Sequence, residues 1–90
     1  MPRRNVTIRN EFGLHARPAT RFVEQAQRFN CDVWLSHADR RADGKSIMGL
    51  LTLAAVPGME VQLETQGPDA EEALRSLGDL IDDGFGEAET

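Results

Sequence analysis

With one cysteine, Cys31, in 90 residues, the chain can close no internal disulfide, and a secreted disulfide scaffold is excluded. Long apolar runs are missing as well. The longest, Ile47 to Val56, covers ten residues and is broken by Gly49 and Thr52, well short of the roughly 18–20 residues a helix needs to cross a bilayer. Behind Met1-Pro2-Arg3-Arg4-Asn5 there is no apolar signal core, so a cytoplasmic protein without direct membrane insertion is expected. Positive charge is in deficit. Ten Arg and Lys against fifteen Asp and Glu leave a formal net charge of −5, which argues against nucleic-acid binding. No repeat, low-complexity tract or linker divides the sequence, and a single domain over residues 1–90 is expected.

What is present is a globular balance, 40% hydrophobic against 28% charged residues. The charge is unevenly distributed. Residues 1–59 hold nine basic and five acidic residues, net +4, whereas residues 60–90 hold one basic and ten acidic, net −9. A basic half of this kind steers toward an acidic partner and affects on-rate more than affinity. The acidic end reads first as a solvated helix face.

Hydrophobic spacing divides the chain into elements. Val6 and Ile8 alternate with Asn5, Thr7 and Arg9, the period of a half-buried strand. From His15 the period changes: Ala16, Ala19, Phe22, Val23, Ala26 and Phe29 recur at three- and four-residue steps, an amphipathic helix. Pro18 falls in its first turn, where a missing N–H costs nothing, so the helix begins close to His15. Val33 and Leu35 mark a second strand with Trp34 out of phase, on the open side of a sheet. His37-Ala38-Asp39 makes a hairpin turn, and Arg40–Asp43 a short third strand. Ser46 is placed to cap a short helix from Ile47 to about Leu53, with Leu50 and Leu53 as its core residues. Met59, Val61, Leu63 and Thr65 form the clearest strand. Ala70, Ala73, Leu74, Leu77, Leu80 and Ile81 form a last helix, with Asp69 and Glu72 as its cap and Gly84 as its stop. The order β-α-β-β-α-β-α, with one apolar face per strand, predicts an α+β open-faced sandwich: an antiparallel or mixed sheet with helices on one side.

The run Gly13-Leu14-His15-Ala16-Arg17-Pro18-Ala19-Thr20 sets a histidine at a helix start with an arginine two residues on. Helix starts present unpaired N–H groups and about half a positive charge, a ready anion site. The same positive end favours the uncharged, nucleophilic form of an imidazole. Arg17 adds permanently charged planar donors. These parts would accept a phosphoryl group, with the backbone of Ala16 and Arg17 binding its oxygens. Read alone, His15 has a plainer role available, a polar cap. Ser46 likewise is a capping residue before it is anything else. Gly44-Lys45-Ser46 is no phosphate-binding P-loop, because Asp39 stands where that motif has glycine. His15, His37 and Cys31 lack metal-ligand spacing, so no metal or other cofactor is expected, and His37 reads as a turn residue.

Gly13–Thr20 resembles the active-site signature of the histidine-containing phosphocarrier (HPr) family of the bacterial phosphoenolpyruvate-dependent phosphotransferase system. Asp43-Gly44-Lys45-Ser46-Ile47-Met48-Gly49-Leu50-Leu51 resembles its regulatory-serine region. The resemblance covers essentially the whole chain and implies a four-stranded antiparallel sheet with three helices on one face. It implies that His15 is phosphorylated on Nδ1 by phosphorylated enzyme I and passes the group to a IIA protein or domain, with Arg17 assisting. The chain would then be a stoichiometric carrier, not an enzyme, and a monomer. Ser46 becomes a target of HPr kinase/phosphorylase, and Thr20, Arg21, Lys45, Ile47, Met48 and Leu51 become partner-docking residues, Met48 foremost. Ile47-Met48-Gly49 resembles carriers with a regulated serine, while Leu50-Leu51-Thr52-Leu53-Ala54-Ala55 and Gly84-Phe85-Gly86-Glu87 resemble the nitrogen-type regulatory branch (NPr). A purely regulatory binding module using the same surface is the reading from another class.

Overall fold

In the computed structural model, which describes residues 2–86, the alternating segments become strands and the longer-period stripes become helices. The order is β1 (Arg3–Thr7), α1 (Ala16–Ala26), β2 (Asp32–His37), β3 (Arg40–Asp43), α2 (Ile47–Leu53), β4 (Glu60–Gln66) and α3 (Ala70–Asp82). A single 3₁₀ turn over Gly84–Gly86 follows. All strand pairings are antiparallel, in the spatial order β1-β4-β2-β3. The last strand in sequence thus lies at the centre. Its register sets Val61 opposite Val6, Leu63 opposite Leu35 and Thr65 opposite Val33. Those side chains bury against Phe22, Val23, Leu50, Leu77 and Ile81 in one core. Each fully buried aliphatic or aromatic side chain contributes about 1.5–3 kcal/mol.

The other sheet face carries Asp32, Trp34, Ser36, Gln62 and Glu64, all at least partly exposed. The fold is the α+β open-faced sandwich, a four-stranded antiparallel sheet with three helices on one side. Trp34 lies on the open face, and the guanidinium of Arg41 on neighbouring β3 stacks 4.3 Å from its ring centroid. That contact is worth about 0.5–1 kcal/mol at an exposed site and covers an otherwise bare indole. At the sheet edge Arg4 faces inward, opposite Leu63. Its guanidinium pairs with Asp79 at 3.2 Å and Asp82 at 2.6 Å on α3.

Each helix starts after the residue expected at its cap position, but only Ser46 makes a side-chain capping bond. His15, extended at φ −99° and ψ −170°, precedes α1, and Pro18, Ala19, Phe22, Val23 and Ala26 form its buried face. Two members of the expected stripe depart from it. Ala16 is exposed, and Phe29 lies beyond the helix end at Ala26, where its partly buried ring still packs on the core. Ser46 caps α2 as expected, its Oγ accepting the Gly49 N–H at 3.0 Å, and Leu50 and Leu53 are the buried residues of that helix. Asp69 corrects the expectation for α3. It occupies the cap position without making a capping bond, because its carboxylate instead accepts the Asn30 N–H at 2.7 Å. A side chain recruited to hold the distant α1–β2 connection is unavailable to its own helix. Gly84, at φ +67°, does follow the end of α3. Glu87, part of the nitrogen-type resemblance, lies outside the described residues.

Candidate functional site

The bend that delivers His15 is made by Gly13, at φ +70°. A Cβ there would come within 2.4 Å of the Ala55 carbonyl oxygen, so glycine is needed for backbone angle and for room. Leu14 donates its N–H to the same Ala55 oxygen at 2.9 Å. The loop ahead of α1 is therefore seated on the chain leaving α2, where Ala54 takes a left-handed conformation at φ +55°.

Half-buried His15 stands at the mouth of α1. Its carbonyl accepts the first intrahelical bond, from Ala19 N–H at 3.0 Å, and its own N–H donates to Gly13 O at 3.1 Å. Pro18 has no N–H. The first-turn amides that point outward from the helix are consequently those of Ala16 and Arg17, both exposed. Such amides carry the positive end of the helix dipole. Within the imidazole, Nε2 is shielded from solvent.

One open depression is lined by His15, Ala16, Arg17, Thr20, Arg21 and Glu24. Five of these are expected site residues brought together by a single helix face. Thr20 turns its hydroxyl back to the Ala16 carbonyl at 2.8 Å. Arg21 donates from Nη1 to the Phe85 carbonyl at 3.0 Å, which ties it to the turn after α3. Lys45, Ser46, Ile47, Met48 and Leu51 belong to α2 and its approach, outside that lining but on the helix packed against α1. Met48 is 72% exposed and Ile47 37%, whereas Leu51 is half-buried on the core. The Lys45 ammonium folds back to the Phe29 carbonyl at 2.9 Å.

Several residues here escape sequence reading. Phe12 is 72% exposed and sets its ring edge-on to His15, with centroids 6.0 Å apart and planes at 78°. Val56, another exposed apolar residue, adjoins Gly13, and Glu24 closes one end of the depression. Their only sequence signal is apolar character in a loop, or an i+3 step from Arg21. Cys31 plays no part in the site. Burial pushes its thiol above the ordinary value of 9.0, with the Lys45 charge opposing and Asp69 and Asp32 reinforcing. Among the described residues no group of three or more His, Cys, Asp or Glu could hold a metal ion, and no helix is long and apolar enough to span a membrane.

Known proteins resemble this chain in sequence and fold. The family model described as "PTS HPr component phosphorylation site" matches residues 2–83. The phosphocarrier protein HPr of Neisseria meningitidis serogroup B is 47% identical over 89 residues, covering 99% of this chain and 100% of that protein. The phosphocarrier protein HPr of Pseudomonas putida is 47% identical over 90 residues, with the same coverage of both chains. The crystal structure of HPr-C-His from Thermoanaerobacter tengcongensis superposes with a TM-score of 0.93 at 40% identity, over 99% of this chain and 100% of that one. With a family model, full-length relatives and a shared fold in agreement, this chain belongs to the HPr phosphocarrier family of the phosphotransferase system.

Proposed function

We propose that the chain accepts a phosphoryl group from phosphorylated enzyme I on His15 and delivers it to a IIA protein or domain serving sugar uptake. The observation that carries this reading is that His15, Ala16 and Arg17 line one open depression at the start of α1. The shielding of Nε2 favours Nδ1 as the attacking atom. Its lone pair forms the N–P bond as the bond from phosphorus to the donor breaks, and the second transfer reverses these roles toward the acceptor. Little covalent chemistry is asked of the protein. Position and charge stabilisation suffice, supplied by the amides and the guanidinium. The chain is used up and regenerated each cycle, a carrier in the cytoplasm and a monomer, without a cofactor of its own.

Docking falls to the surface around the ring. Met48, Ile47 and Leu51 supply apolar contact on the α2 side, and Phe12 and Val56 supply it beside the His15 loop. Arg17, Arg21, Thr20 and Lys45 supply the polar and basic flank that suits an acidic-rimmed partner. Ser46 serves as a modification site for HPr kinase/phosphorylase, since a phosphate at a helix N-terminus is electrostatically favourable while opposing an acidic partner.

Incubation with phosphoenolpyruvate and enzyme I tests the relay. An acid-labile, alkali-stable phosphate should form on the unaltered chain and not on His15→Ala; equal labelling of both would defeat the assignment. In a parallel arm with ATP and the kinase, label should depend on Ser46, and an unlabelled wild-type chain would remove that modification.

A further inference from the structure

The His15 loop turns on one carbonyl group, that of Gly13, and a buried side chain holds it. Asn10, 5% exposed, donates from Nδ2 to Gly13 O at 2.6 Å, while its own carbonyl accepts the Gly13 N–H at 3.2 Å. Gly13 O is also the acceptor for the His15 N–H at 3.1 Å. Both lone pairs of that oxygen are thus engaged, one by the residue that begins the loop and one by the histidine that ends it. On its other side the loop is backed by the Ala55 carbonyl, which takes the Leu14 N–H. Asn10 also abuts the turn after α3: a Cβ built on Gly84 would lie 3.6 Å from the Asn10 Cβ. The next residue, Phe85, is the one whose carbonyl holds Arg21.

We infer that Asn10 is a positioning residue for phosphoryl transfer, its carboxamide fixing the Gly13 carbonyl and, through it, the His15 backbone at the helix mouth. This rests on the phosphocarrier reading of His15. A glycine at positive φ has wide conformational freedom, so the bend at Gly13 is only as well defined as the bonds that hold its two ends. Without the Asn10 amide the loop loses one of two donors on its pivot, and the imidazole loses its fixed distance from the Ala16 and Arg17 amides. Group transfer is sensitive to such misplacement, whereas docking through Met48 and Ile47 on α2 is not.

Asn10→Asp and Asn10→Ala each remove the donor. Thr65→Val serves as the matched control. It deletes an equally short buried bond, Thr65 Oγ1 to Ala70 O at 2.6 Å, that involves no residue of the His15 loop or depression. With phosphoenolpyruvate and enzyme I, kcat for phosphorylation should fall about tenfold in both Asn10 variants while KM stays within about twofold. Hydrogen exchange of the His15 amide should accelerate by a similar factor, and Thr65→Val should alter neither reading. Wild-type kcat and exchange in both Asn10 variants would overturn the inference, as would an equal loss of kcat in Thr65→Val. If the unaltered chain takes no phosphate at all, the carrier reading fails, and the His15 amide exchange alone decides whether Asn10 fixes the loop.

Discussion

Gly13 and Gly78 meet the same obstacle in different materials. A Cβ added at either would lie 2.4 Å from its nearest neighbour, but that neighbour is the Ala55 backbone at Gly13 and the Arg4 guanidinium at Gly78. Backbone cannot retreat, and Gly13 sits at φ +70° besides. Gly13→Ala should therefore cost about 2 kcal/mol or more. Arg4 can swing away. Gly78→Ala then loses partly exposed ion pairs to Asp79 and Asp82, worth about 0–1 kcal/mol each, and gains about 1 kcal/mol of helix propensity. Urea unfolding should show Gly13→Ala strongly destabilised and Gly78→Ala within about 1 kcal/mol of the parent. The reverse ranking would mean that the loop before His15 is softer than its contacts with Ala55 indicate.

At the scale of elements, α2 is the one whose cap matters most, because seven residues make barely two turns. Ser46 Oγ satisfies the Gly49 N–H, and removing that bond in Ser46→Ala should lower stability by about 1 kcal/mol. Thermal unfolding followed by circular dichroism checks this, and a melting temperature equal to the parent's would show that the cap is dispensable. The elements themselves were legible. Periods of two and of three to four residues separate cleanly along the chain, and Ser46, Pro18 and Gly84 mark limits with residue types that have local physical reasons to be there. What was not legible depends on distant partners. Asp69 has the chemistry of a cap, yet its carboxylate is taken by Asn30 from another part of the chain. Ala38, Ala54 and Phe85 adopt left-handed conformations although none of them is glycine.

For the molecule as a whole, sheet order was beyond sequence reasoning, since β4 enters between β1 and β2 through long-range pairing that no local pattern encodes. His15 and Arg17 are neighbours at a helix start, but it is the resemblance of Gly13–Thr20 to a known signature that singles them out over a plain cap. Asn10, Phe12, Glu24 and Val56 gain meaning only once the loop and helices are packed. Charge was legible as a division between halves, and part of the acidic half is neutralised internally by Arg4 and Arg9. The basic residues of the depression remain for long-range attraction. Raising ionic strength beyond about 0.15 M, where the Debye length is about 8 Å, should lower kcat/KM for phosphorylation by enzyme I and leave kcat unchanged. A salt-independent kcat/KM would rule out steering. One-sided layering has a practical side. Ser36 lies on the sheet face opposite the helices, and Cys31 is buried, with its thiol pushed above the ordinary value by that burial. A cysteine introduced at Ser36 would be the more accessible handle, through which the protein can be fastened to a resin or sensor chip with the depression at His15 still turned toward the solution.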